Sequence, residues 1–222
     1  MTRSGVGGYG PRAETASDLT IDVMTAESPR AEFRRRVRER VLDAARESAV
    51  SRGWDQVRVG DVAVAAGVSR PTLYREFGSK DGVGEALIVR EADHFLAGVG
   101  GVLDQHDDPA LGIREAAAFT LREAAANPLL HAVLTGARPG DVNLLPYLTT
   151  RSQAILDGAR GLLTGWIAVR EPGHVAALVD ETVDAVVRLV ISHLVVPSVE
   201  SEVVADRMGR LVRNTLGDRS GK

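Results

Sequence analysis

The chain of 222 residues has no cysteine. That excludes disulfides, thiolate metal sites and cysteine nucleophiles, and it fits a reducing compartment, so a cytoplasmic location is expected. Aromatic residues are 4% of the total, which leaves Ala, Val and Leu to fill the core. Lysine is almost missing: all but two of the 27 basic residues are arginine. No apolar run approaches the ~20 residues of a membrane span, and the N-terminus lacks the apolar centre of a signal peptide, so no membrane partner is expected. The five histidines, His94, His106, His131, His174 and His193, show no H-E-x-x-H spacing, and no serine sits in a G-x-S-x-G turn. Neither a catalytic residue, a metal ligand nor a cofactor is expected. Gly5-Val6-Gly7-Gly8-Tyr9-Gly10 matches G-x-G-x-x-G. The dinucleotide fold needs a strand before that motif and a helix after it, whereas here four residues precede it and Pro11 follows.

What is present is unevenly distributed. Residues 30–80 carry 12 basic and 7 acidic side chains, a surplus of +5, while residues 81–222 carry 13 and 19, a deficit of −6. A basic segment joined to an acidic remainder suits a polyanion-binding module with a separate regulatory part. A solvated arginine-rich helix has the same charge count.

Residues 1–27 are rich in Gly, Ser, Thr and Ala without apolar periodicity and read as a disordered tail. Ser28-Pro29 is a helix start, a capping hydroxyl followed by proline in the first turn. Phe33, Val37, Val41, Ala44, Ala45 and Ala49 follow at helical spacing. Gly53 ends that helix and Trp54 is expected to pack back onto it. Residues 59–66 read as a short helix with Val62, Ala63 and Ala66 inward. After the Gly67-Val68-Ser69 turn, Ser69 caps the next helix, with Pro71 in its first turn and Leu73 and Phe77 inward. Gly78 stops it and Ser79 caps another helix that runs towards Leu96. Two short helices joined by a three-residue glycine turn make a helix-turn-helix.

The rest reads as helix throughout, so the fold class is all-α. Gly98, Gly100 and Gly101, with residues 104–109, are expected to break the chain. Helices follow at 111–126, from Asn127 on (with Leu129, Leu130, Val133 and Leu134), at 148–169, at 175–196 and at 199–216, with a loop at 136–146. The domain reading is a tail at 1–27, a helix-turn-helix domain at 28–78 and a larger helical domain at 79–218.

Gly53-Trp54, Val62-Ala63, Ala66-Gly67-Val68-Ser69, Thr72-Leu73-Tyr74, Phe77, Ser79-Lys80 and Val83 together resemble the DNA-binding signature of the tetracycline-repressor (TetR) family. The resemblance covers about residues 30 to 85. Beyond it the chain matches the family in helix count and length. The stretch from His131 to Trp166 is similar to actinobacterial members found beside alkane-oxidation genes. What this implies is a transcriptional regulator, a repressor by family habit, that binds double-stranded operator DNA as a homodimer and answers a small molecule.

The physics of the motif agrees with that reading. In a helix-turn-helix the second helix lies in the major groove and its N-terminal residues reach base edges. Here those are Ser69, Arg70, Pro71 and Thr72, and Arg70 suits a bidentate contact to guanine. Tyr74 and Arg75, farther along, suit phosphates. Lys80 stands at a helix N-terminus, which also favours an anion. Where the family usually has a small hydroxyl residue, this chain has Arg58. Arg58 either replaces that phosphate contact with a longer, stronger one or points into solvent and leaves its helix poorly capped.

One such unit reads too few base pairs to be selective, whereas two related by a two-fold axis read a palindrome. Val179, Val183, Val186, Val187 and Val190 show more apolar surface than one partner helix usually covers. With Leu211 of the last helix they are expected to form the dimer surface, unless that helix is wholly internal. The middle helices are expected to enclose a chamber lined by Phe95, Leu130, Leu134, Tyr147, Leu148, Leu163 and Trp166. Its polar tips would be His94, His131 or Gln153, and it would suit a hydrophobic effector, fatty-acid or alkyl-like. A helical ligand carrier or enzyme would instead bind no selected DNA sequence and ignore Arg70→Ala. A non-specific nucleic-acid protein would show salt-governed affinity and little base preference.

Overall fold

The computed structural model describes residues 28–127, 129–130 and 145–217, with side chains from 155 onward in the last stretch. The tail expected at 1–27 lies outside them. Among the described residues there are eight α-helices and no strand. They are α1 (Pro29–Arg52), α2 (Val59–Ala65), α3 (Arg70–Phe77), α4 (Lys80–Leu103), α5 (Pro109–Ala126), α6 (Leu145–Arg170), α7 (Ala176–Val195) and α8 (Ser201–Leu216). A single 3-10 turn, Trp54–Gln56, follows α1, and Leu129 and Leu130 are helical as well.

Helices α1 to α3 form a small unit whose boundaries come from local chemistry. The Ser28 hydroxyl accepts from the Ala31 N–H at 3.2 Å, Ser69 from Thr72 at 3.2 Å and Ser79 from Gly82 at 3.0 Å. Each satisfies an N–H that a helix start leaves without an intrahelical partner. Gly67 (φ 63°) turns the chain between α2 and α3, and Gly78 (φ 76°) between α3 and α4. These are left-handed values that a side chain disfavours. Val41, Leu42, Ala45, Trp54, Val62 and Leu73 fill the centre of the unit. Phe33 departs from the helical pattern that included it: it is 62% exposed. The first buried residue of α1 is Val37.

The larger body is α4 to α8. Here α5 packs most extensively on α8, and α6 on α7. The expected break at Gly98, Gly100 and Gly101 is absent, since α4 runs through all three to Leu103. Of the three, Gly98 serves packing instead, while an added Cβ at Gly101 would meet nothing within 4 Å. A Cβ at Gly98 would stand 2.8 Å from the Phe119 ring, and one at Gly112 would overlap the Trp166 indole. The break comes at residues 104–108, where Asp108 caps α5 by accepting from the Leu111 N–H at 2.8 Å.

Helix α7 also differs from expectation. Val179, Val183, Val186, Val187 and Val190 are all buried within the one protomer, on the side facing α5, α6 and α8. They are therefore not an outward surface. Their apolar surplus covers three neighbouring helices instead of one. Leu211 of α8 is half-buried against the same core.

Candidate nucleic-acid interface and an apolar chamber

The second motif helix, α3, stands proud of the small unit. Only Leu73 is fully buried, and it anchors the helix from beneath. Ser69, Arg70, Pro71, Tyr74 and Arg75 are exposed, so the face expected to meet bases and phosphates is accessible. The Ser69 and Thr72 hydroxyls bond each other at 2.8 Å, which holds the N-terminal turn of the helix rigid. The Arg70 guanidinium lies back against α2, where a Cβ at Gly60 would overlap its Nη2. The glycine leaves a seat from which Arg70 can swing outward.

Lys80 is placed differently from a free phosphate ligand. Its ammonium donates to the Asp55 carbonyl at 3.2 Å and sits 5.5 Å from the centre of the Trp54 ring. This pins the start of α4 to the turn after α1. Arg58 is the N-cap residue of α2, is exposed, and makes no capping bond through its side chain. The exposed guanidinium gives α2 no cap and is accessible to a phosphate.

An apolar chamber of about 70 Å³ lies in the larger body. Four helices wall it: α4 with Phe95 and Val99, α5 with Ala116 and Ala117, α6 with Ile155 and Leu163, and α7 with Val187 and Val190. Among the described residues of its wall the one hydroxyl, Thr120, donates to the Ala116 carbonyl of its own helix at 2.8 Å. The described lining therefore offers a ligand almost pure hydrocarbon. Phe95 and Leu163 are where the sequence suggested. Leu130 is buried but outside the lining, and His94 is exposed on α4. Trp166 is packed under Arg170, 4.3 Å from guanidinium to ring, also outside the lining. His131 and Leu134 lie outside the described residues, as do the side chains of Tyr147, Leu148 and Gln153 on the first turns of α6. Sequence reasoning missed α5 and α7 as walls. The run Ala116-Ala117-Ala118 was the available signal, since small side chains on a buried face leave room.

Two buried charges on α4 join the body to the small unit. Arg90 donates to Asp43 at 2.7 Å and Glu39 at 3.2 Å, both on α1. Glu91 accepts from Arg46 of α1 at 3.0 Å and from Asn127 at 3.4 Å. The oxygen of that side-chain amide, Asn127 Oδ1, accepts from the N–H groups of Leu129 and Leu130 at 3.2 and 3.3 Å. A continuous polar path thus runs from the turn after α5, through α4, to α1. Nothing in the linear pattern marked these charges as buried. Among the described residues no group of three His, Asp or Glu side chains is placed to hold a metal ion, and no helix is long and apolar enough to cross a membrane.

The comparisons with known proteins match this architecture part by part. Residues 41–87 match the model of bacterial regulatory proteins of the tetR family, and residues 108–214 that of the bacterial tetracyclin repressor C-terminal domain. The HTH-type transcriptional regulator AlkX of Mycobacterium tuberculosis is 34% identical over 186 residues, which are 79% of this chain and 83% of that one. The chain belongs to the TetR family. It is a transcriptional regulator of the helix-turn-helix type, not an enzyme. Among solved TetR structures, that of the repressor AlkX from Dietzia sp., implicated in biodegradation of n-alkanes, superposes with a TM-score of 0.61 at 25% identity. It covers 81% of this chain and 95% of that one. The transcriptional regulator FadR of Bacillus subtilis, solved in complex with stearoyl-CoA, shares the fold at a TM-score of 0.52 and 19% identity, over 78% of this chain and 96% of that one.

Proposed function

We propose that this regulator is a cytoplasmic repressor that binds a palindromic operator as a homodimer and leaves it when a hydrophobic small molecule enters the chamber. The observation that carries the proposal is the double duty of α4. Phe95, Leu96 and Val99 line the chamber, and one to two turns earlier Arg90 and Glu91 hold α1. A ligand that shifts α4 must therefore shift the reading unit, and in a dimer that changes the spacing of two recognition helices. Base contacts fall to Arg70, Pro71 and Thr72, and phosphate contacts to Tyr74 and Arg75, with Ser69 holding the cap. Lys80 supports the phosphate face from its seat on Trp54, and Arg58 reaches the backbone from solvent.

The hydrocarbon lining and the names of the n-alkane and stearoyl-CoA relatives favour an alkyl-chain effector. Such a chain has to widen the 70 Å³ space, since small-molecule pockets usually hold several hundred Å³. That widening supplies the movement. For the second copy, the outward faces of α7 and α8 replace the five buried valines. Leu178, Leu189 and Val203 are exposed there.

Selection of genomic fragments by the purified protein tests the reading. One palindrome should be recovered, lost with Arg70→Ala, and released by palmitate but not by acetate. Recovery of no preferred sequence by ligand-free, refolded protein would refute it.

A further inference from the structure

At the seam between α6 and α7 the chamber borders a buried donor with no partner among the described residues. Arg160 stands on α6 with Leu156 one turn before it and Leu163 one turn after, and both leucines line the chamber. Its side chain is 25% exposed, and its Nε is buried without a hydrogen bond. A buried N–H left unpaired forfeits the bond it made with water. Across the seam on α7, Asp184 lies one turn before Val187, another lining residue.

The bonds around Arg160 account for the orphan. Arg160 Nη2 donates to Asp184 Oδ1, while Nη1 lies 3.6 Å from Asp157 Oδ1. Asp184 Oδ2 accepts from Arg188 Nε at 2.7 Å. The aspartate is thus stretched between two guanidiniums and gives one oxygen to each. A guanidinium offers its Nε–H and Nη2–H side by side, an edge matched to both oxygens of one carboxylate. Asp184 takes half of that edge and leaves Nε empty.

We propose that Arg160 is the headgroup seat of the chamber: the carboxylate of a long-chain fatty acid takes both Nε and Nη2 of Arg160, and its chain lies against Leu156 and Leu163. The proposal deepens the effector reading above and rests on it. Two guanidiniums and two carboxylates already balance at the seam, so the headgroup replaces Asp184 on Arg160 and does not add to it. Asp184 keeps Arg188. The exchange removes a link between α6 and α7, two of the four walls of a space that must widen to admit a chain. An n-alkane cannot make the exchange, and an alcohol offers Arg160 one uncharged oxygen, a weaker acceptor.

The test is the ratio of the full chain's affinities for palmitate and for hexadecanol, both radiolabelled and below their aggregation limits. The hydrocarbon chains are alike, so the ratio cancels damage to the chamber and reads the headgroup. The parent should prefer palmitate by about tenfold or more, as a hydrogen bond to a charged group allows. Arg160→Gln should bring the two affinities together, and Arg160→Lys, which keeps the charge without the fork, should fall between. Asp184→Asn removes the competing carboxylate and should raise the preference above the parent's. Arg160→Gln and Asp184→Asn break the same ion pair, so a merely structural pair would move the ratio in one direction for both. The seat requires opposite directions. No preference for palmitate in the parent overturns the proposal, as does an unchanged or lowered preference in Asp184→Asn. Circular dichroism checks that each variant is folded, and Asp184→Asn decides the matter even where Arg160→Gln does not fold. Binding of both ligands without preference removes the seat and leaves the chamber, whereas binding of neither removes the effector reading and the seat with it.

Discussion

The reading unit and the larger body solve the problem of helix placement in different ways. In α1 to α3 the chain direction is set by local devices: three serine caps and glycines of positive φ at the turns. In α4 to α8 it is set by how closely helices approach. Gly98 lies under Phe119, Gly112 under Trp166, and Gly209 lies 2.9 Å, measured from an added Cβ, from the Ala110 carbonyl. Local devices keep a small unit rigid with little core, as suits a helix that must fit a fixed groove. Close packing of Ala, Gly and Val leaves a body with a small apolar void at its centre, as suits a part that has to change shape.

The sharpest way to break this comparison is to put a charge on each side of α7. Val183→Asp should abolish the folded protein, because an unpaired carboxylate would sit where the side chain is 1% exposed. Leu189→Asp, at 40% exposure, should keep the helix content and yield monomers in sedimentation. A folded, monomeric Val183→Asp would return the five valines to the dimer surface.

Smaller effects separate the two regions further. Gly98→Val should destabilise the body by roughly 1–3 kcal/mol, the usual range for overpacking, as read by urea unfolding. Ser69→Ala removes a cap from the reading unit and should cost about 1 kcal/mol. Its operator affinity should fall more than its melting temperature, since the lost bond orders the turn that meets DNA. The smallest effect is expected for Asp184 on α7. The hydrogen bond from Arg188 holds its carboxyl below the ordinary value, partial burial opposes this, and Arg160 adds to the lowering. A lowered folded pKa contributes stability above the unfolded pKa, and that contribution is lost as pH falls through the folded value. The melting gap between parent and Asp184→Asn should thus be present at neutral pH and close in acid, and high salt should shrink it.

The residues that were legible in the linear chain are those whose effect is local. Ser28, Ser69, Ser79, Gly67 and Gly78 act on groups within a few positions, so their roles follow from spacing alone. Phe33 and Gly98 misled for the converse reason. A helical period says which residues share a face but not where along the helix a neighbour begins, so Phe33 was grouped with Val37. A glycine cluster resembles a break until the opposing Phe119 ring is known. His94, expected as a polar tip of the chamber, faces solvent because α4 turns Phe95 inward.

By itself the sequence determined an all-helical regulator, the order and capping of its helices, and the exposed residues of its reading helix. Each of those follows from backbone propensity and side chains only a few positions apart. Tertiary structure alone decided that the valines of α7 face inward, that the alanines of α5 open a chamber, and that Arg90 and Glu91 are buried links to α1. The physical reason is that burial belongs to pairs of surfaces, and residues 45 or more apart, such as Arg46 and Glu91, meet only after the helices have packed.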